Sequence, residues 1–261
     1  MEVPALHADY TAEISVPSLT TCLALVSLGQ SASYYIRMNE EMGLDLLEIE
    51  PAGPPSCAVI WLHGLGADGH DFEPLVQQWG LADKLSARFI LPHAPRRPVT
   101  LNGGMVMRAW YDIYTLGVGA GEDRLGIEQA HQFVVDLIRR EQQRGIRSDR
   151  ILLAGFSQGG AVALHTALRY RGALAGVLAL SSYLPLAELL AAEKCADPAS
   201  LVIRMDHGDQ DPVVSFTVAE RSRDMMESQG YKVEFHRYPM AHGLCVAQTE
   251  SLRNWIVRRL E

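Results

Sequence analysis

The 261-residue chain predicts an α/β fold, with a mostly parallel central sheet and helices on both faces. Three observations carry this. Short apolar runs at 57–62, 151–154 and 175–180 read as strands buried on both faces. Helical periodicity alternates with them, most clearly at 122–144, where Ile127, Ala130, Val134, Leu137 and Ile138 share one face. Between 155 and 160 a strand gives way to a helix through three glycines, a join that strand and helix make only where side chains are absent.

The elements follow in chain order. Residues 46–50 form an opening strand, and 51–55, with prolines at 51, 54 and 55, form a turn. The strand at 57–62 runs into His63-Gly64-Leu65-Gly66-Ala67-Asp68-Gly69. Short helices at 71–85 are broken at Gly80, and a strand at 87–91 ends at Pro92. Residues 95–121 are expected to be long and mostly irregular, which in a compact domain marks function. The helix at 122–144 stops at Gly145. After the strand at 175–180 there is room for a small cap at 184–192, but not for a lid domain. A strand at 201–206, a helix from Pro212 to residue 229, an alternating strand at 232–238 and a helix at 244–260 complete a catalytic domain of 46–261.

Residues 1–45 stand apart as an atypical extension, either disordered or lying upstream of a natural start at Met38 or Met42. Its apolar stretch at 19–29 is preceded by Glu2, Asp9 and Glu13 and lacks the positive flank of a signal peptide. No segment reaches the ~18 apolar residues needed to span a bilayer.

The sharpest signal is Gly155-Phe156-Ser157-Gln158-Gly159, a G-x-S-x-G pattern between a strand and an Ala/Leu-rich helix. In that context the pattern forms a nucleophile elbow, in which a strained turn lifts the serine hydroxyl out of the sheet. The first turn of the helix aims free N–H groups and its positive dipole end at whatever bonds to that oxygen. The competing reading is a glycine-rich turn whose serine only caps the helix.

A serine hydroxyl needs a base, and the base needs an acid to orient it. In α/β-hydrolases the order along the chain is Ser, then Asp or Glu, then His. Four histidines follow Ser157: His165, His207, His236 and His242. His165 lies well down the elbow helix, His207 closes a strand and His236 sits inside one. His242 falls in a loop between the last strand and the C-terminal helix, where this fold keeps functional groups, and is the expected base. The loop Asp206-His207-Gly208-Asp209-Gln210-Asp211-Pro212 offers three aspartates. Asp206 is still on the strand, and Asp209 reads as a turn residue. Asp211 is the expected acid, held extended by Pro212, which is placed to open the next helix.

These blocks, with Leu62-His-Gly-Leu-Gly-Ala-Asp68-Gly, Pro92-His-Ala-Pro-Arg-Arg-Pro-Val99-Thr, Asn102-Gly-Gly-Met and Trp110-Tyr-Asp-Ile113, occur in the order of a known family. From about residue 46 to 260 the chain resembles the carboxylesterase, phospholipase and acyl-protein thioesterase group of small serine α/β-hydrolases. The resemblance implies an α/β-hydrolase fold and a Ser157–Asp211–His242 triad. It implies ester or thioester substrates of small to medium acyl chains, with acylated proteins and lysophospholipids among the alternatives. The oxyanion of acyl transfer needs two preorganised donors. One is the N–H of the residue after the nucleophile, Gln158. The other comes from the glycine-flanked loop after an early strand, and the resemblance assigns it to Leu65. Met105, Met107 and Trp110 are expected to line the acyl groove. Two positions depart from the group's pattern: Arg108, where bacterial members usually carry proline, and Gly243, where serine is common.

Composition excludes other classes. The net charge of −8, with lysine only at 84, 194 and 232, argues against a nucleic-acid partner. The glycine loop at 64–69 lacks the lysine of a phosphate-binding loop. His63, Asp68, His70 and Asp71 have no metal-ligand spacing, so no metal or other cofactor is expected, and His63 and His93 read as structural. The cysteines at 22, 57, 195 and 245 form no C-x-x-C pair and suit a reducing, cytoplasmic setting. The rival of another class is a non-catalytic hydrolase-fold binding protein, which would be expected to have lost a triad member. Oligomeric state is not legible.

Overall fold

Along β2 (Cys57–Leu62) the side chains alternate between two cores, Ala58, Ile60 and Leu62 toward one and Cys57, Val59 and Trp61 toward the other. This period-2 alternation with apolar residues on both sides is what a central strand of a covered sheet requires. The computed structural model describes residues 45–115 and 121–261. The amino-terminal extension, apart from Asp45, and residues 116–120 lie outside them.

The other strands are β1 (Leu46–Ile49), β3 (Ala87–Pro92), β4 (Arg96–Val99), β5 (Met105–Arg108), β6 (Ile151–Phe156), β7 (Gly176–Leu180), β8 (Ile203–Gly208) and β9 (Val233–Tyr238). Seven of them form one sheet in the order β1-β3-β2-β6-β7-β8-β9. Only β1 runs antiparallel, against β3. The helices are α1 (Glu73–Trp79), α2 (Leu81–Leu85), α3 (Arg124–Gln143), α4 (Gln158–Arg169), α5 (Leu190–Glu193), α6 (Phe216–Ser228) and α7 (Val246–Leu260). Apolar residues of α3, α4 and α6 pack on one face of the sheet, and those of α1, α2 and α7 on the other. Gly80 separates α1 from α2 at φ 59°, a left-handed turn that suits glycine. Among the described residues no helix is long and apolar enough to cross a membrane.

Three expectations are corrected. The described part of the 95–121 stretch, residues 95–115, is not mostly irregular: β4 and β5 pair as an antiparallel hairpin, Arg96 opposite Arg108 and Val99 opposite Met105. Gly103 and Gly104, at φ 64° and 81°, make its turn. The helix expected from Pro212 begins at Phe216. The Asp211 carboxylate accepts from the Val213 and Val214 N–H groups at 2.8 and 2.9 Å, so a side-chain-closed turn occupies the space of a first helical turn. The C-terminal helix begins at Val246, with Cys245 as its N-cap rather than within it.

Candidate active site

β6 ends and α4 begins at Ser157, whose backbone sits at φ 52°, ψ −119°. A non-glycine residue there costs of order 1–3 kcal/mol and persists only where the surroundings hold it. They do. Ser157 N–H donates to the Leu180 carbonyl at 2.8 Å, and the Ser157 carbonyl accepts from Ser182 Oγ at 2.8 Å and Ala161 N–H at 3.0 Å. The glycines of the elbow are sterically required: a Cβ on Gly155 would run into the Gly159 backbone, and one on Gly159 into the Leu62 and His63 carbonyls.

Of the three aspartates on the end of β8 and in the loop after it, Asp211 is the one that meets His242. His242 Nδ1 lies 2.7 Å from Asp211 Oδ2. With Nδ1–H donating to the carboxylate, Nε2 is the ring nitrogen left to take a proton. The His242 ring packs 4.8 Å from that of Phe156, the residue before Ser157, which brings base and elbow together. The two loops are stitched by Asp209 N–H to the Tyr238 carbonyl at 2.9 Å and Gln210 N–H to the Met240 carbonyl at 3.1 Å. Asp209 turns outward to Arg237, and Asp206 is bound to the buried Arg204 at 2.7 Å.

His207 is a partner that sequence reasoning passed over. Its Nε2–H donates to the Val214 carbonyl at 2.8 Å and lies 3.4 Å from Asp211 Oδ2. Burial pushes the Asp211 carboxyl up, but contacts with His207 and His242 and the Val213 N–H outweigh it and hold the group well below the usual carboxylate range. Asp211 is therefore an anion at neutral pH, as an orienting acid must be.

Gly64 borders the elbow: a Cβ there would lie 3.5 Å from Ser157 Cβ and 3.2 Å from the Phe156 ring. Leu65, next along this loop, is half-buried, and Gly66 N–H donates to the Arg108 carbonyl at 2.9 Å. Gln158 is the first residue of α4, so its main-chain N–H has no partner within the helix. His63 and His93 are structural: His63 Nδ1–H donates to the Gly64 carbonyl at 2.7 Å, its Nε2 accepts from Ala94 N–H at 2.9 Å, and His93 Nδ1 accepts from Gly69 N–H at 2.9 Å. Burial lowers His63 to about 4, so its imidazole is neutral. Among the described residues no group of three or more His, Cys, Asp or Glu is placed to hold a metal ion.

The three expected groove residues separate. Met107 is half-buried with its sulfur over Gly66, and Met105 stands 63 % exposed on the hairpin. Trp110 is 1 % exposed, and its indole N–H donates to the His63 carbonyl at 2.9 Å. A second feature missed by sequence reasoning is the Gln158 side chain. Its Oε1 accepts from Trp110 N–H at 2.9 Å and its Nε2–H donates to the Tyr111 carbonyl at 2.8 Å. The partners lie 47 and 48 residues away, so no local pattern announces them. Arg108 reaches the Ala94 carbonyl and Asp45, and the space around Gly243 would admit a side chain.

The phospholipase/carboxylesterase family model matches residues 47–259. An acyl-protein thioesterase 1 of Neurospora crassa is 41 % identical over 78 % of this chain and 87 % of its own length. One from Cryptococcus neoformans is 35 % identical over 82 % and 97 %. The crystal structure of Zea mays acyl-protein thioesterase 2 superposes with a TM-score of 0.74 at 28 % identity, covering 83 % of this chain and 99 % of that one. With an elbow serine and an Asp–His pair on an α/β-hydrolase sheet, the chain is a hydrolase of carboxylic esters or thioesters and belongs to the phospholipase/carboxylesterase family.

Proposed function

We propose that Ser157 is the nucleophile, His242 its base and Asp211 the acid that orients it. The observation that carries this is the 2.7 Å His242–Asp211 bond beside a serine held at φ 52°. His242 Nε2 takes the Ser157 proton as Oγ attacks the carbonyl carbon, and the carbonyl π electrons move to oxygen. The main-chain N–H groups of Leu65 and Gln158 bind that oxyanion, preorganised by loop and helix. As the intermediate collapses, His242 returns the proton to the departing alcohol or thiol. Water then repeats the sequence on the acyl-serine and releases the acid. Asp211 keeps the proton on Nδ1 throughout and stabilises the imidazolium.

The substrate is a single acyl chain of small to medium length, accommodated by Met105 and Met107. Relatives named acyl-protein thioesterase favour a thioester on an acylated protein as the physiological form, ahead of a lysophospholipid. The free thiols of Cys57, Cys195 and Cys245 suit a cytoplasmic setting. A fluorophosphonate label with peptide mapping tests the nucleophile, and a panel of aryl ester, lysophospholipid and palmitoylated peptide tests the substrate. Labelling at a residue other than Ser157 refutes the assignment. Preference for the lysophospholipid refutes the thioester reading alone.

A further inference from the structure

The two proposed oxyanion donors sit on different elements, Leu65 on the loop after β2 and Gln158 on α4. Their spacing has to be set by something that touches both. The 108–111 segment does so through four hydrogen bonds. The Arg108 carbonyl accepts from Gly66 N–H at 2.9 Å. The Trp110 indole N–H donates to the His63 carbonyl at 2.9 Å. Trp110 main-chain N–H donates to Gln158 Oε1 at 2.9 Å, and Gln158 Nε2–H donates to the Tyr111 carbonyl at 2.8 Å. The first two bonds grip the Leu65 loop on either side, and the last two grip the first residue of α4. Gln158, Trp110 and Tyr111 are all buried, so these bonds form out of water, where losing one partner leaves an unsatisfied group. The Gln158 amide suits this position chemically. One end must accept and the other donate, which neither a carboxylate nor an apolar side chain of the same length does.

We propose that the Gln158 side chain is a positioning residue, fixing the distance between the two oxyanion donors by bolting α4 to the 108–111 strap that also holds the Leu65 loop. This rests on the proposed oxyanion hole. Its consequence is specific: loosening the strap harms a step in which negative charge develops on oxygen, while ground-state binding is spared.

The test uses the full chain with Gln158→Met, Gln158→Glu and Trp110→Phe, the last keeping an aromatic ring while losing the indole N–H. Steady-state ester hydrolysis separates kcat from KM. A trifluoromethyl ketone, which forms an oxyanion with the serine, is compared with a carboxylate product that needs no oxyanion hole. We expect kcat to fall about tenfold to a hundredfold, the scale of a small misplacement of catalytic groups, with KM within about twofold. Affinity for the ketone should fall in step with kcat while affinity for the carboxylate holds. The double variant Gln158→Met/Trp110→Phe should lose less than the product of the single losses, because both cut one strap. Wild-type kcat in a folded Gln158→Met protein overturns the proposal, even if its melting temperature drops. So does a rise in KM with kcat unchanged. Should Gln158→Met fail to fold, Trp110→Phe decides by the same criteria. Ser157→Ala serves as the control: if it stays active, the proposed site itself has failed, whatever Gln158 does.

Discussion

At the β1 edge of the sheet, Glu48, Glu50 and Glu141 face Arg88, Arg140 and Arg144. Glu48 meets Arg140 and Arg144, Glu141 meets Arg88 at 2.5 Å and Arg144 at 3.0 Å, and Glu50 meets Arg88 at 2.8 Å and Arg144 at 2.9 Å. Near the β9 edge the buried carboxylate of Asp211 faces two imidazoles and no arginine. The first cluster cancels its charge three against three and bonds every carboxylate at least twice, which ties the antiparallel β1 and α3 to β3. The second leaves its anion matched to His242, which in the proposed reaction has to change charge. Redundant pairing makes structure; a lone anion beside a proton acceptor, next to a strained serine, makes chemistry.

The largest expected effects separate the two edges. Ser157→Ala should cut turnover by on the order of 10⁴ to 10⁶, with the urea midpoint unchanged. Arg140→Met should do the reverse, costing up to about 3–5 kcal/mol of stability by removing one of the two arginines that pair with buried Glu48, with kcat near wild type while folded. Urea melts and steady-state rates on both proteins measure this. Near-normal turnover in Ser157→Ala, or a hundredfold kcat loss in folded Arg140→Met, breaks the contrast.

Within the β9 edge, Asp211→Asn should lower turnover by roughly 10⁴ through the wrong imidazole tautomer and lost charge stabilisation. Asp209→Asn should leave it nearly unchanged, since Asp209 meets only an exposed Arg237. A crippled Asp209→Asn with a mild Asp211→Asn reverses the choice of acid.

Much of this edge is legible in the sequence alone. Gly155, Gly159 and Ser157 announce the elbow because close approach and strain demand specific residue types at fixed spacing. Asp211 and His242 follow from chain order and loop position. What escapes depends on contacts distant in sequence or on one interaction overruling another. Pro212 suggests a helix start, yet the Asp211 carboxylate claims the Val213 and Val214 N–H groups first. The Gln158 clamp joins a side chain to backbone 47 and 48 residues away, and the His207 contacts, four and seven residues long, depend on the path of a loop that no local period reveals. Trp110 reads as a large apolar residue; that its indole N–H finds a buried acceptor in the His63 carbonyl, 47 residues away, has no local signature.

Acid should weaken the fold, and the histidines of the site's own scaffold sharpen where. Burial lowers His63 to about 4 and His165 to about 3, whereas an unfolded histidine titrates near 6.5. Below that value the unfolded chain binds protons that the folded chain refuses. The stability these groups contribute is complete above about pH 6.5 and is lost as pH falls toward 4 and then 3, by up to about 1.4 kcal/mol per pH unit for each. The depressed Asp211 adds to the loss below the usual carboxylate range, with the same sign. Urea midpoints at pH 7 and pH 5 should show the decline, and His63→Gln, which keeps a donor and an acceptor, should show less of it. An identical slope in that variant would mean His63 is not held neutral.

The smallest expected effect concerns the β4–β5 hairpin. Met105 and Val106 are 63 % and 58 % exposed, and Met107 lies with its sulfur above Gly66. An acyl chain lying against them removes apolar surface from water on both sides, worth up to ~0.8 kcal/mol per methylene. kcat/KM for aryl esters should therefore climb from two carbons to about six to ten, then level off where the chain outruns the hairpin. Met107→Ala should flatten the climb more than Met105→Ala, because Met107 sits nearer the Gly64–Gly66 loop, and neither should change acetate turnover. If the wild-type profile is flat, the hairpin is no wall of the site. If it climbs but Met107→Ala leaves the slope intact, the acyl chain lies elsewhere, and the exposed methionines serve some other purpose.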